Sequence, residues 1–331
     1  MALPPALHNR LRLPVVGSPL FIISNPDLVI AQCKAGIVGS FPALNARPEP
    51  VLEEWLERIT SELADYDRAN PDAPSAPFAV NQIVHGSNAR LKHDMDMCVK
   101  YEVPIVITSL GAKEWVNEMV HSYGGIVLHD IINNRFAKKA IEKGADGLIA
   151  VAAGAGGHAG TLSPEALLDE CGDLGLPLVA AGGVGDPAGY VRLLRMGYGA
   201  VQMGTRFIAT EECEVHPDYW EAIIDAGEED IVLTERLSGV PVAVINTPMV
   251  QRVGTKAGPI ARRLLKGRRT KHWMRTFYAL RSLRELKQTI KKGVTYKDVW
   301  QAGKRAGAID EVVPAAAVVR TFAHAWASAR G

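Results

Sequence analysis

The feature that most limits the possible fold is an alternation of eight short strand-like runs with helical patterns between residues 14 and 210. Several runs are almost entirely apolar, which is typical of parallel strands covered on both faces. We predict strands at residues 14–18, 36–41, 78–84, 103–110, 125–131, 147–153, 176–183 and 200–208. An N-cap residue followed by proline, which signals a helix start, occurs at Asn25-Pro26, Ser163-Pro164 and Asp186-Pro187. Eight repeats predict an α/β protein of the TIM (β/α)8 barrel class, although a doubly wound sheet shows the same alternation.

The pattern changes after Val240, where residues 240–248 form a short apolar segment that we expect to close the barrel region. Residues 251–305 hold 17 Lys and Arg residues against two acidic residues, in a chain whose net charge is +1. A final helix is predicted at residues 315–327. We therefore divide the chain into a barrel, residues 1–246, and a C-terminal, mainly helical basic extension, residues 247–331, that packs on the barrel or on a second subunit.

Several classes of protein are disfavoured by the composition. No run of about 18 apolar residues occurs, so we expect no membrane span. The first residues contain prolines where a signal peptide needs an apolar run, so we expect a cytoplasmic protein.

The HDMDM run at residues 93–97 has unsuitable spacing for a metal site, and we interpret it as a solvated helix face. Buried free thiols, without disulfides or zinc, are expected for Cys33, Cys98, Cys171 and Cys213.

Two glycine-containing strand ends lie close together in the sequence, AAGG at residues 180–183 and QMGT at residues 202–205. Glycine lets a ligand approach the backbone closely, and backbone N–H groups can hold a phosphate without Lys or Arg. TIM barrels commonly bind phosphate in the loops after strands seven and eight, which are the strands concerned. The pair predicts a phosphate site, and the alternative is that these glycines only form tight turns.

A single histidine follows the predicted sixth strand in the stretch AVAAGAGGHAG, residues 150–160. The C-terminal ends of barrel strands carry the reactive groups of this fold. An imidazole can accept a carbon-bound proton near neutral pH, and the glycines around His158 leave room for a planar ligand. We predict an active-site role for His158, with a purely structural histidine as the alternative.

These segments together resemble the nitronate monooxygenase family, formerly called 2-nitropropane dioxygenases. The resemblance covers roughly residues 14–246 and includes GSPLF at 17–21, GIVGS at 36–40, FAVNQ at 78–82 and HPDYW at 216–220. It implies a TIM barrel that binds FMN non-covalently. By the same resemblance His158 is the active-site base. The cofactor contacts that it implies are Ser18, Pro19 and Leu20, Asn81, Gly156, the phosphate-site residues Gly182 and Gly183, and Gln202, Met203, Gly204 and Thr205.

The chain also departs from the family pattern at several positions. Gly154 stands where family members often have Glu, and residues 239–246 keep Asn246 but lack the two arginines of that segment. At the end of the fifth strand, where some relatives place a Lys near the flavin, this chain has His129. A protonated His129 could stabilise negative charge on the reduced flavin, or it could be an ordinary histidine hydrogen-bonded to Asp130. His85 and Ser109 are plausible pocket residues without an assigned catalytic role.

The expected activity is oxidation of alkyl nitronates with O2 to carbonyl compounds and nitrite. One alternative is an NAD(P)H-dependent flavin reductase of the enoyl-acyl carrier protein reductase or quinone reductase type. Another is a flavin-binding protein without catalytic activity. For the basic segment we expect packing or homodimer contacts, or attraction of an acidic substrate such as an acyl-CoA or acyl carrier protein, and no nucleic-acid binding.

Overall fold

The computed structural model describes residues 3–4, 7, 9–235, 241–256 and 300–330. Eight parallel strands form one sheet in the order β1-β8-β7-β6-β5-β4-β3-β2. A parallel bridge between Val16 and Val38 joins the two outer strands, so the sheet is a nearly closed barrel. The predicted TIM barrel is confirmed. The strands are β1 Val15–Gly17, β2 Gly39–Pro42, β3 Phe78–Ile83, β4 Ile105–Ser109, β5 Ile126–Ile131, β6 Gly147–Val151, β7 Leu178–Ala181 and β8 Ala200–Met203.

Helices follow the strands and cover the outside of the barrel. Their bounds are α1 Pro26–Lys34, α2 Val51–Ala69, α3 Leu91–Lys100, α4 Glu114–His121, α5 Asn134–Glu142, α6 Pro164–Cys171, α7 Pro187–Met196, the short α8 Thr205–Ile208, α9 Pro217–Asp225, α10 Pro248–Val253 and α11 Ala315–Arg330. The three predicted helix starts are confirmed, because the side chains of Asn25, Ser163 and Asp186 each accept a hydrogen bond from a backbone N–H of the first turn.

The strands alternate between two apolar environments. The inner face packs its own cluster, which includes Val16, Ile107, Leu128, Ile149 and Val179. The intervening residues pack outward against the helices in two further clusters. Because side chains alternate along a strand, this arrangement identifies which residue at each strand end faces the barrel mouth.

The described part of the C-terminal extension is integrated with the barrel. Helix α11 packs against both α7 and α1, and Phe322 and Trp326 contact the buried Tyr190 edge-on. The last helix therefore completes the helical layer, since α1 and α7 flank the remaining position around the barrel. The proposed boundary at residue 246 stays a prediction, and most of the basic segment, residues 257–299, lies outside the described residues.

Some local predictions were wrong. Strand β8 ends at Met203 rather than at residue 208, because residues 205–208 form a helical turn. The apolar segment at residues 240–248 contains β10, Val242–Ile245, which pairs antiparallel with an unpredicted strand β9, Ile231–Thr234, outside the barrel wall. Asp94 in the HDMDM run is fully buried and bonds to Arg90 at 2.9 Å rather than facing solvent.

Other features of the described chain agree with the composition or limit its chemistry. All four cysteines are buried free thiols, as predicted. Within the described ranges, no group of three or more His, Cys, Asp or Glu side chains could hold a metal ion. None of the helices in those ranges combines the length and the apolar character needed to cross a membrane.

Candidate active site

The backbone after β7 makes close contact with the loop that carries His158. Gly182 and Gly183 have φ values of +94° and +82°, a region that side chains other than glycine rarely adopt. A Cβ at position 182 would lie 2.8 Å from the Ala155 side chain, whereas the atom nearest to a Cβ at position 183 is in Pro164, 3.9 Å away. Gly182 therefore allows the histidine loop to approach, whereas a Cβ at position 183 would make only an ordinary van der Waals contact with Pro164.

The loop after β1 lies next to the end of β8, as the sheet order requires. The Ser18 N–H donates to Met203 O at 2.8 Å, and a Cβ on Gly204 would lie 3.3 Å from atoms of Leu20 and Ser18. Asn45, which the sequence analysis did not identify, holds this loop: its Nδ2 donates to Leu20 O at 2.9 Å. Ser18, Pro19 and Leu20 therefore lie in one fixed loop beside residues 202–205.

The residues predicted after β8 differ in what they offer to a ligand. Gln202 lies two residues after Ala200 on β8 and therefore shares its inner face. The buried Oε1 of Gln202 has no hydrogen-bond partner among the described residues. The Met203 side chain packs outward against the helical layer, so only its backbone faces the mouth. Thr205 Oγ1 accepts a hydrogen bond from Gly303 N–H at 2.9 Å, which links this strand end to the C-terminal segment.

Three backbone hydrogen bonds fix the histidine loop. Ala155 N–H donates to Ala152 O at 3.3 Å, Ala243 N–H donates to Gly157 O at 2.9 Å, and Lys304 N–H donates to Gly154 O at 3.0 Å. The His158 side chain itself is exposed, yet the protein atoms around the ring disfavour its charged form and lower the pKa of the imidazole. The lowered pKa favours the neutral imidazole, which is the form that can accept a proton.

A polar network crosses the mouth on the side opposite to β8. Asn81 Nδ2 donates to Ile107 O at 3.0 Å and to Ser109 Oγ at 2.7 Å, and Ser109 Oγ donates to Asp130 Oδ2 at 2.5 Å. Burial raises the pKa of the Asp130 carboxyl from 3.8 to about 6, although the Ser109 hydrogen bond opposes this shift. Ser109 thus links Asn81 to Asp130, a carboxyl group that the sequence analysis treated only as a neighbour of His129.

His129 lies on strand β5 and points to the face opposite to that of Asp130. It alternates with Leu128, which belongs to the inner cluster, and its Nδ1 is 2.6 Å from Thr108 Oγ1. Burial is the main cause that lowers the pKa of His129 to about 4, and the charge of Lys139 adds to it. The partner is Thr108 rather than Asp130, and the imidazole is uncharged at neutral pH. This position favours a structural role, and the predicted cofactor contact of His129 stays a prediction.

The fold and site can be compared with known proteins. The sequence model of the nitronate monooxygenase family matches residues 60–324 of this chain. A probable nitronate monooxygenase of Staphylococcus aureus is 29% identical over 282 residues, which cover 75% of this chain and 79% of the relative. The nitroalkane oxidase of Streptomyces ansochromogenes has the same fold, with a TM-score of 0.78 at 22% identity over 98% of this chain and 99% of the other.

Two further proteins are similar to this chain under other names. The (3aS,4S,5R,7aS)-5-hydroxy-7a-methyl-1-oxo-octahydro-1H-indene-4-carboxyl-CoA dehydrogenase of Rhodococcus jostii is 29% identical over 72% of this chain, and the match spans 64% of that relative's length. FabK of Thermotoga maritima has the same fold, with a TM-score of 0.77 at 23% identity over 98% of this chain and 94% of the other. Because the family model covers most of the sequence, this chain belongs to the nitronate monooxygenase family of flavin-type TIM-barrel oxidoreductases.

Proposed function

We propose that the protein is an FMN-dependent nitronate monooxygenase that oxidises alkyl nitronates with O2 to carbonyl compounds and nitrite, with His158 as the active-site base. The observation that carries the proposal is the close contact between Gly182 and Ala155. A Cβ placed on Gly182 would lie 2.8 Å from the Ala155 Cβ. This contact brings the loop between β6 and α6, which contains His158, to the glycine pair after β7, so a proton acceptor and a candidate phosphate site share one edge of the mouth.

Three features of the mouth support FMN as the cofactor. No atom comes closer than 3.9 Å to a Cβ placed on Gly183, so its backbone is less crowded than that of Gly182, which suits a phosphate held by N–H groups. Gln202 Oε1 and Asp130 Oδ1 are buried polar atoms without partners among the described residues, and such atoms ordinarily have one when a ligand is bound. Gly182, Gly183 and residues 202–205 would hold the phosphate, and Ser18–Leu20 and Asn81 would lie against the rest. When bound, FMN would supply the redox chemistry, taking up an electron pair and passing it to O2.

The residues of the chain then orient the substrate and move its proton. Both N–H groups of the Asn81 amide are used within the protein, so its side-chain oxygen is held in a fixed position as a hydrogen-bond acceptor. The lowered pKa of His158 favours its neutral form, so the imidazole can remove the proton from a neutral nitroalkane or hold an already formed nitronate by a hydrogen bond. Gly156, Gly157 and Gly160 add no side chain that would fill the space around the ring.

The substitution His158→Asn separates these two tasks, because asparagine forms hydrogen bonds but accepts no proton at neutral pH. With neutral nitroethane as substrate we expect kcat/KM to fall by about 100-fold or more. With preformed ethyl nitronate we expect a loss of less than about 10-fold, since no proton has to be removed. Equal losses for both substrates would contradict the role of a base, and a wild-type protein that binds FMN but is not reduced by the nitronate would contradict the proposed reaction.

A second candidate function is dehydrogenation of a CoA thioester. Residues 251–305 carry 17 basic and two acidic residues, and a CoA dehydrogenase is among the relatives. Such a charge excess attracts phosphates, and abstraction of a proton next to the thioester carbonyl is again the task of a base such as His158.

Anaerobic mixing of the FMN-loaded protein with separate reductants distinguishes the candidates. Bleaching of the flavin absorbance by ethyl nitronate, with NADH and acyl-CoA thioesters inert, supports the first. Bleaching by a ring-bearing acyl-CoA favours the second, particularly if the corresponding pantetheine thioester without the nucleotide phosphates reacts poorly and if added salt removes the difference. Bleaching by NADH alone would contradict both.

A further inference from the structure

Asp130 is the one carboxyl group that the described strands place on the inner face of the barrel mouth beside Asn81 and Ser109. It follows Leu128 at an interval of two residues on β5, and Leu128 packs in the inner cluster. Successive side chains of a strand point to opposite faces, so Asp130 shares the inner face whereas His129 does not. The proposed reaction gives Asp130 no task so far.

The hydrogen bonds of the network have a fixed direction. Asn81 Nδ2 donates to Ser109 Oγ at 2.7 Å, so the serine hydroxyl hydrogen is available for Asp130 Oδ2, which lies 2.5 Å away. Asp130 Oδ2 is therefore an acceptor, and the carboxyl group is held in one orientation. The fixed orientation aims the second oxygen, Oδ1, independently of any ligand.

That second oxygen is unsatisfied. Asp130 Oδ1 is buried and has no hydrogen-bond partner among the described residues, although the residue as a whole is partly exposed. A buried carboxylate oxygen normally accepts at least one hydrogen bond, so a donor from outside the described chain is missing. Burial also raises the pKa of this carboxyl to about 6, which shows that the protein without ligand stabilises its charge poorly.

The surface next to the network suits an organic ligand better than water alone. The loops that follow β4 and β5 begin with the apolar residues Leu110 and Ile132, which are 61% and 40% exposed. Leu110 also has a left-handed φ of +60°, an unfavourable conformation for a leucine. Exposed apolar side chains in the loops that follow an unpaired polar atom suit a site that binds an organic molecule through one oriented hydrogen bond.

We infer that Asp130 is a further ligand-binding residue of the site, whose Oδ1 accepts a hydrogen bond from an N–H or O–H group of the bound cofactor or substrate. This inference rests on the proposed function, because it assumes that a flavin and its reductant meet at this mouth. The donor can belong to the flavin or to the molecule that reduces it, and the two sources have different consequences.

The substitution Asp130→Asn tests the inference, because the amide oxygen can still accept from Ser109 while an N–H group replaces Oδ1 and faces the donor. If the flavin is the donor, we expect the dissociation constant of FMN, measured by quenching of its fluorescence, to rise at least 10-fold, and the midpoint potential of bound FMN to rise because a negative charge is lost. If the substrate is the donor, we expect FMN binding to stay within about twofold and the KM of the reducing substrate to rise at least 10-fold.

Asp146→Asn is the matched control, because Asp146 lies at the N-terminal ends of β5 and β6, away from the mouth. Its carboxylate accepts a hydrogen bond from Val127 N–H and contacts His121. It should leave both quantities within about twofold of the wild type. Ser109→Ala is a second variant that keeps the carboxyl group and its charge but removes the bond that orients it, and it should raise the same binding constant as Asp130→Asn, either the dissociation constant of FMN or the KM of the reducing substrate. Circular dichroism verifies that each variant is folded.

The outcomes separate this inference from the proposed function. Unchanged FMN binding and unchanged KM in Asp130→Asn, with an active wild type, overturn the role of Asp130 alone. A wild type that binds FMN but is reduced only by NADH or an acyl-CoA overturns the nitronate reaction, and the same measurements on that reductant still test Asp130. A wild type that binds no FMN overturns both.

Discussion

Gly182 and Ala155 pack so closely that a Cβ on the glycine would lie 2.8 Å from the alanine Cβ and 2.9 Å from the alanine nitrogen. Ala155 belongs to the loop that carries His158, and Gly182 belongs to the proposed phosphate site. The structure therefore couples the position of the candidate base to the position of the candidate cofactor through one backbone contact.

Gly182→Ala should disturb both the position of the His158 loop and the binding of FMN. The added methyl group requires the histidine loop to move, and the φ of +94° is strained for alanine, so we expect a loss of about 2–4 kcal/mol in the free energy of unfolding and weaker FMN binding. Gly175→Ala is the control, since it has a similar φ of +82° but no atom within 4 Å of the new Cβ. Urea unfolding and FMN titration should show a smaller stability loss and unchanged FMN binding for the control. Equal effects of the two substitutions would exclude a special role of the contact.

The pH dependence of nitroalkane oxidation should report the lowered pKa of His158. Since the protein atoms around the ring favour the neutral imidazole, the active form persists to lower pH than for an ordinary histidine, and we expect the acid limb of kcat/KM for nitroethane to lie below pH 6.5. In His158→Asn this limb should disappear along with most of the activity. A limb that persists unchanged in the variant would assign it to another group, for which Asp130 is the candidate.

Asp130→Asn should stabilise the ligand-free protein at high pH. The folded-state pKa of about 6 lies above the ordinary value of 3.8, so the folded protein favours the protonated carboxyl. That contribution to stability is fully present below pH 3.8 and is lost as the pH rises through about 6. We therefore expect the variant to gain on the order of 1–3 kcal/mol over the wild type between pH 4 and pH 8.

Urea unfolding of both proteins across this pH range measures the gain. Asp96→Asn is the control, because its exposed carboxylate pairs with Lys92 at the surface, and it should change stability by less than about 0.5 kcal/mol. A residue that lowers stability but strengthens ligand binding would be expected at a functional site. A pH-independent difference between Asp130→Asn and the wild type would contradict the raised pKa.

His129→Ala should leave the flavin potential unchanged. His129 is neutral at neutral pH and bonds to Thr108 on the outer face of β5, so no positive charge is removed from the mouth. The substitution instead leaves the Thr108 hydroxyl and a buried cavity behind, and we expect a loss of about 2–3 kcal/mol in stability. A midpoint potential that falls in His129→Ala would support the alternative, that a charged His129 stabilises the reduced flavin.

The sequence predicted those parts of the fold that depend on local signals. The N-cap and proline pairs and the apolar runs are such signals, and the eight strands and three helix starts follow from them. The helical turn after β8 was missed because the apolar residues Phe207 and Ile208 are buried against helices rather than in the barrel wall. The place of α11 between α1 and α7 depends on contacts between distant parts of the chain, which periodicity does not reveal.

The site was predicted less completely than the fold. The glycine-containing strand ends and His158 could be predicted because they lie in stretches that are unusually rich in glycine. Asn45 could not, because an asparagine in a loop carries no pattern that identifies its partner Leu20. Asp130 could have been found by counting the strand alternation from Leu128, which would have directed attention to the carboxyl group rather than to the neighbouring His129.

Phe322→Ala tests whether the last helix is part of the barrel rather than of a separate unit. Phe322 is 3% exposed and contacts Tyr190 of α7 edge-on, with ring centroids 5.6 Å apart. Truncation should cost about 3–5 kcal/mol, and the barrel should unfold in the same single transition as the helix. Phe136→Ala, at a phenylalanine that is 43% exposed, is the control and should cost less than about 1 kcal/mol. If α11 were a separate unit, near-UV and far-UV circular dichroism of Phe322→Ala would show two transitions, because the barrel would keep its own stability after the helix had melted.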